Sequence, residues 1–269
     1  MEHGVSDSNV GLFCPFAHRA NLVRYLRGLQ EILPLSVVRG FPRGGDAKFP
    51  SWIFPKDDQE YPGATPDRLY GSRYLSEIYF KADPEYKGKY TVPVIWDKKT
   101  ETIVNNESAE ILRWLPHAFD SITEPSTLEL YPADLRNKID TISEWVQSNF
   151  NAGVYKAGFA TDQTGYDKAI IPIFGALNKL EELIHTSGGP FIFGERLTEL
   201  DIRVYATAVR FELVYYLHFK ANLGLIRHDY PAINLWLRNL YWGVKGFQES
   251  TNVRHIKDNV SMSMGTRKL

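Results

Sequence analysis

The chain has 269 residues, a formal net charge of -1 at neutral pH, 43% hydrophobic residues and 23% charged ones. That balance supplies apolar surface for a core and gives no bulk electrostatic case for a nucleic-acid or membrane partner. The only cysteine is Cys14, which excludes an internal disulfide and fits a reducing, cytoplasmic compartment.

Met1 to Asn9 is short and polar, without the basic and apolar regions of a signal peptide. No apolar run reaches the roughly 18 residues of a membrane span, and no repeat recurs at a fixed period. Val10–Phe13 is a short apolar run that reads as a strand. Pro15 then opens a helix, with Leu22, Val23, Leu26 and Leu29 at spacings of three and four. Gly28 and Pro34 end it, and Leu35–Arg39 reads as a second strand.

Residues 40–89 form a long insertion rich in Pro, Gly, Asp and Lys, with a helix expected over Asp67–Ala82. Thr91–Trp96 and Thr102–Val104 read as a hairpin about a polar turn. Asn105-Asn106 resembles a helix cap, before a helix over Glu107–Leu115. Residues 116–132 read as a linker. After it everything is helical, with apolar faces on Leu135, Ile139, Ile142, Val146 and Phe150, and on Ile170, Phe174, Leu177, Leu180 and Ile184. Leu200–Leu217 and Ile233–Tyr241 are two further expected helices. Thr198-Glu199-Leu200-Asp201 reads as a structural capping box. The order of elements predicts an α/β domain over 1–115 followed by an all-α domain over 133–257, with a divergent tail over 258–269.

Cys14 stands between a strand and the helix that begins at Pro15. Unpaired N–H groups and the dipole of a helix start stabilise a thiolate, so this position predicts a reactive cysteine; the alternative is a buried structural one. A redox pair would need a second cysteine at position 17, where Ala17 stands. A mixed disulfide on Cys14 then needs an outside thiol, most often glutathione in a cytosol. His18 and Arg19 either tune the thiolate or pack the helix. Aromatic residues make up 13% of the chain, which suits a pocket for flat substrates or simply a well-packed helical core.

Cys14-Pro15-Phe16-Ala17-His18-Arg19 resembles the C-P-W-A-H-R signature of the glutathionyl-hydroquinone reductases, the omega-like Xi class of glutathione transferases. Thr91 to Asp97 resembles the family's T-V-P-V-L-W-D, and Asn105 to Ser108 its N-N-E-S. Asn151 to Ala160 resembles its N-G-V-Y-K-A-G-F-A, and Leu197 to Arg203 its L-T-E-A-D-I-R. Shorter matches continue to Asn252–Lys257.

The resemblance implies glutathione transferase architecture, a thioredoxin-like domain followed by the helical one, and a homodimer. It implies glutathione as co-substrate, a quinone-derived small molecule as partner, and no metal. Cys14 would be the nucleophile. Pro93 would be cis, turning Val92 outward to pair with the cysteinyl part of glutathione. Ser108 would hold the γ-glutamyl carboxylate and Glu107 the ammonium, in addition to any capping role. Trp52 would lie over glutathione, and Lys89 would take the place of the family's arginine at the glycyl carboxylate as a point charge. Tyr155, Tyr215 and Tyr241 would line the pocket for the second substrate.

The family's tryptophan is replaced by Phe16. Only 13 residues precede Cys14, which leads one to expect a clipped first strand and an exposed sheet edge. The rival readings are an omega-like thioltransferase or dehydroascorbate reductase, and a non-catalytic binding protein of the same fold.

Overall fold

The computed structural model describes residues 6–40 and 49–264, with side chains described as far as residue 260. Residues 1–5 of the polar N-terminal stretch, 41–48 of the insertion and 265–269 of the tail lie outside the described residues. The chain forms two compact units: Met1–Pro125 together with Glu249–Leu269, and Ser126–Gln248.

The first unit is built on a four-stranded mixed sheet. Its strands are β1 (Ser6–Val10), β2 (Leu35–Val37), β3 (Val94–Asp97) and β4 (Thr102–Asn105), in the order β2-β1-β3-β4. β1 runs parallel to β2 and antiparallel to β3, so both of its edges are paired. The expected clipped strand with an open edge is therefore corrected. The apolar run Val10–Phe13 is mostly turn, closed by the Cys14 N–H donating to the Gly11 carbonyl at 2.9 Å. The strand lies earlier, in polar residues that are all buried, and apolar periodicity is blind to such a strand. At Gly11 an added Cβ would lie 2.6 Å from the tip of the Phe13 ring, so any other residue here displaces that ring.

Helix α1 (Pro15–Leu26) follows, and Gly28 leaves it in the left-handed region at φ 71°. The helix expected over Asp67–Ala82 is only half formed, as α2 (Leu75–Ala82). Its first part is a turn in which the Asp67 carboxylate accepts from the Leu69 and Ser72 N–H groups at 3.0 and 2.9 Å. Gly71 sits there at φ 66°, which a helix does not permit. Phe13, Val38, Phe54, Leu75, Ile78, Tyr79, Val94 and Trp96 form the core under the sheet. Helix α3 (Ser108–Trp114) follows β4.

Helix α11 (Val253–Met264) also belongs to this unit. The Tyr61 hydroxyl donates to Asp258 at 2.8 Å, and His255 Nε2 lies 2.9 Å from the Pro62 carbonyl. The expected boundary at 257 groups Glu249–Lys257 with the helical domain; in the structure these residues pack within the first unit.

Burial without a full set of partners marks Asp7 in β1. It is 4% exposed, and desolvation pushes its carboxyl up to about 6 against the pull of Lys98 and Arg24. The folded protein thus holds this proton more tightly than the unfolded chain. The associated stability is complete below the ordinary value of 3.8 and is lost as pH rises from there through about 6. At neutral pH the ionised carboxylate costs up to about 3 kcal/mol. Asp7→Asn is expected to raise the melting temperature at pH 7 and to flatten the loss between the two values. Thermal melts across pH check this, and a lower melting temperature at pH 7 contradicts it.

The second unit is helical. Its long elements are α4 (Arg136–Val146), α6 (Gln163–Ser187), α7 (Glu199–Ala208) and α10 (Pro231–Gly243), with α5 (Gly153–Gly158), α8 (Tyr216–His218) and α9 (Ile226–Asp229) as short ones. The single helix expected over Leu200–Leu217 is interrupted. α7 ends at Ala208, and a π-helical turn over Phe211–Tyr215 follows. A second π-helical turn, Gln147–Asn151, joins α4 to α5, its wider loop closed by Ala152 N–H to the Gln147 carbonyl at 2.9 Å.

The capping box at Thr198 is present and extends further than the four-residue pattern shows. Asp201, 0% exposed, accepts from Thr198 N–H and hydroxyl at 2.9 and 3.0 Å. Its other oxygen accepts from Ile192 N–H at 2.9 Å and Trp236 Nε1 at 3.0 Å. One carboxylate thus ties α7 to α10 and to the loop before α7.

No described helix is long and apolar enough to cross a membrane.

Candidate active site

Strand directions decide what meets at one end of the first unit's sheet. Asn9 of β1 pairs with Val94, the first residue of β3, and Asn105, the last residue of β4, pairs with Ile95. The chain therefore leaves β1 toward Cys14, enters β3 from Val92-Pro93, and leaves β4 toward Glu107 and Ser108 at the same end. Three separate sequence motifs converge by topology alone.

Cys14 caps α1 with extended backbone (φ -80°, ψ 124°) and its side chain makes no capping bond. The thiol is half-buried, with Sγ 3.8 Å from the Val92 carbonyl oxygen. The Val92–Pro93 peptide is cis, as the resemblance implied. Next to Cys14, the Phe13 ring lies 4.5 Å from the ring of Trp52. The Trp52 carbonyl in turn accepts from Leu75 N–H at 2.9 Å, which ties the early part of the insertion to the start of α2. Position 17 is Ala17 on α1, fully buried, so no resolving thiol stands beside Cys14.

Glu107, rather than Asn105 or Asn106, is the N-cap of α3; its side chain accepts from Ala109 N–H at 3.0 Å. Asn105 Oδ1 instead accepts from Glu107 N–H at 2.6 Å. Ser108 is buried, its hydroxyl accepting from Arg19 Nη1 at 3.3 Å and lying 3.5 Å from Glu107 Oε1. Arg19 thus links α1 to the start of α3, and its guanidinium also lies 4.8 Å from the Phe16 ring centre. A phenyl ring at position 16 still supplies the face for that cation. His18 is buried with Nε2 2.9 Å from Ser250 Oγ, which makes it a packing group between α1 and the C-terminal segment. Lys89 is exposed, and its carbonyl accepts from the Tyr86 hydroxyl at 3.0 Å.

Tyr79 on α2 is absent from the sequence expectations. Its hydroxyl donates to the Thr91 carbonyl at 2.8 Å and accepts from Thr91 N–H at 3.2 Å and Asn106 Nδ2 at 3.0 Å. Thr91 precedes Val92 and Asn106 precedes Glu107, so one buried phenol holds both backbone segments in register. No motif signals it: Tyr79 reads as one more apolar residue of an amphipathic helix. If Val92, Glu107 and Ser108 hold glutathione, Tyr79→Phe removes three hydrogen bonds of about 1 kcal/mol each. The expected result is a roughly tenfold higher KM for glutathione with little change in kcat, read by steady-state kinetics.

In the second unit the Tyr155 and Tyr215 hydroxyls lie 3.3 Å apart and their rings meet edge-on at 5.7 Å. Tyr215 ends one π-helical turn, and Tyr155 begins four residues after the other. Tyr215 is 1% exposed, whereas Tyr155 is half-buried beside Phe159, which is 52% exposed. Tyr241 lies on α10 with its ring edge-on to Trp242 at 4.7 Å. No group of acidic, histidine or cysteine side chains suited to a metal ion occurs among the described residues.

Comparison with known proteins agrees with this architecture. The profile described as Glutathione S-transferase, N-terminal domain matches residues 13–118, and Glutathione S-transferase, C-terminal domain matches residues 163–239. Glutathione S-transferase omega-like 2 of Schizosaccharomyces pombe is 46% identical, over 94% of this chain and 79% of its own. Glutathionyl-hydroquinone reductase YqjG of Escherichia coli is 41% identical, over 96% of this chain and 74% of its own. Its glutathione-bound structure superposes with a TM-score of 0.89 at 40% identity, covering 97% of this chain and 80% of that one. The glutathione S-transferase Xi from Phanerochaete chrysosporium gives a TM-score of 0.89 at 42% identity, covering 96% and 81%. The chain is an enzyme of the glutathione S-transferase superfamily and belongs, within it, to the Xi-class glutathionyl-hydroquinone reductase family.

Proposed function

We propose that this enzyme removes glutathione from glutathionyl-hydroquinones, with Cys14 as the nucleophile. The observation that carries the reading is the placement of the half-buried Cys14 thiol at a helix start, beside Val92 and cis-Pro93, with no second cysteine in the chain. The thiolate attacks the sulfur of the thioether. A disulfide between Cys14 and glutathione forms, the carbon–sulfur bond breaks, and the ring carbon takes a proton to give the hydroquinone. The thiolate of a second glutathione then attacks the mixed disulfide, regenerates Cys14 and leaves as glutathione disulfide. Overall, one aryl thioether is reduced and two glutathionyl sulfurs are oxidised.

In this scheme Val92 presents its backbone to the cysteinyl part of glutathione. Glu107 takes the ammonium and Ser108 the γ-glutamyl carboxylate. Trp52 covers the ligand, and Lys89 meets the glycyl carboxylate as a point charge. Tyr155 and Tyr215 hold a quinol oxygen through their paired hydroxyls, with Tyr241 lining the same slot. The work takes place in the cytoplasm as a homodimer.

The test is turnover of a synthetic glutathionyl-hydroquinone with glutathione. A covalent intermediate requires ping-pong kinetics, so double-reciprocal plots at several glutathione concentrations are expected to be parallel. Intersecting lines sink the covalent scheme. Turnover of dehydroascorbate or of a small mixed disulfide, without turnover of the thioether, favours the omega-like alternative. Glutathione binding without any turnover leaves a binding protein.

A further inference from the structure

We infer that Gly158 is a positioning residue for the second substrate, acting through Phe219 on the Tyr155–Tyr215 hydroxyl pair. This rests on the proposed role of those tyrosines in holding a quinol oxygen.

A Cβ added at Gly158 would lie 2.2 Å from Cγ of Phe219 and 2.5 Å from both Cδ atoms. The Phe219 ring therefore sits flat against the bare backbone of α5, in the space any other residue would fill. The same ring touches both tyrosines of the hydroxyl pair and the half-exposed Phe159 beside them. It is 5.5 Å from Tyr155, 5.4 Å from Tyr215 and 5.4 Å from Phe159. Phe219 is 3% exposed, so its remaining surface is covered by protein.

The backbone gives the ring no route of retreat. Phe219 N–H and Ala221 N–H both donate to the Tyr215 carbonyl, at 3.2 and 3.0 Å. Between them Lys220 adopts φ 59°, a left-handed conformation that a lysine takes only where its surroundings impose it. The Lys220 carbonyl accepts from the Tyr166 hydroxyl at 2.5 Å and from Asn222 N–H at 2.8 Å. A side chain at position 158 thus pushes the Phe219 ring toward the tyrosines rather than away. Because Tyr215 is anchored in its π-helical turn, Tyr155 on α5 takes up the movement and the 3.3 Å hydroxyl pair opens.

The experiment compares Gly158→Ala with the double variant Gly158→Ala/Phe219→Leu, whose smaller side chain makes room for the new methyl. For Gly158→Ala, KM for the glutathionyl-hydroquinone is expected to rise about tenfold or more, while KM for glutathione stays unchanged. The double variant is expected to recover part of that loss. Binding of plain hydroquinone, read from intrinsic fluorescence, supplies a readout free of the Cys14 chemistry. It should weaken in Gly158→Ala even if the parent does not turn over the thioether, so failure of the reaction and failure of the positioning role are told apart. An unchanged KM and unchanged hydroquinone binding in a folded Gly158→Ala protein overturn the inference. So does an equal rise in both KM values, which reports general damage.

Discussion

Cys14→Ser is expected to lower turnover of a glutathionyl-hydroquinone by on the order of 10³-fold or more. A serine alcohol is not ionised at neutral pH and forms no disulfide, so it supplies neither the nucleophile nor the intermediate. Glutathione affinity should change little, because Val92, Glu107 and Ser108, the proposed glutathione contacts, reach the sheet end from other strands and keep their own hydrogen bonds. The thiol's contact with the Val92 carbonyl, at 3.8 Å, is long and weak, so the melting temperature should stay near that of the parent. Kinetics and a glutathione titration on one preparation separate the two effects. Retained turnover in Cys14→Ser would show that another group attacks.

The second large effect falls on stability. Asp201→Ala leaves four donors facing a site with no exposure: two from Thr198, one from Ile192 and one from Trp236. Each was desolvated on folding and is left without an acceptor. Burial pushes the Asp201 carboxyl above its ordinary value, and the same four hydrogen bonds oppose that push. Loss of such a buried hub costs roughly 3–5 kcal/mol. Asp201→Asn keeps the shape and one good acceptor, and is expected to lose less. Urea unfolding of the three proteins gives the values; a loss under about 1 kcal/mol for alanine would show that the hub is dispensable.

How much of this was legible in the sequence depends on which signal each element leaves. Cys14, the proline of Thr91-Val92-Pro93-Val94 and the start of α3 each carry a local motif, and the resemblance singled them out. The fold class followed from the order of α/β and helical patterns. What the patterns missed was polar or conditional. β1 is buried yet built from Ser6, Asp7, Ser8, Asn9 and Val10, so no apolar alternation marks it. α2 begins eight residues late because Asp67 and Gly71 favour a turn that periodicity overlooks. The break after Ala208 arises from π-helical hydrogen bonding, which has no simple composition signal. Tyr79 and Gly158 are invisible for another reason. Their importance lies in contacts with residues 91, 106 and 219, far away in the chain. The packing of α11 within the first unit is likewise a tertiary fact, carried by the contacts of His255 and Asp258 with Pro62 and Tyr61.

The most direct test of the account is intact-protein mass spectrometry after mixing the enzyme with excess glutathionyl-hydroquinone in the absence of free glutathione. The expected result is a mass increase of one glutathionyl group, located on Cys14 by peptide mapping, with one equivalent of hydroquinone released and the adduct cleared on adding glutathione. An enzyme that releases hydroquinone under these conditions while Cys14 remains unmodified would contradict it.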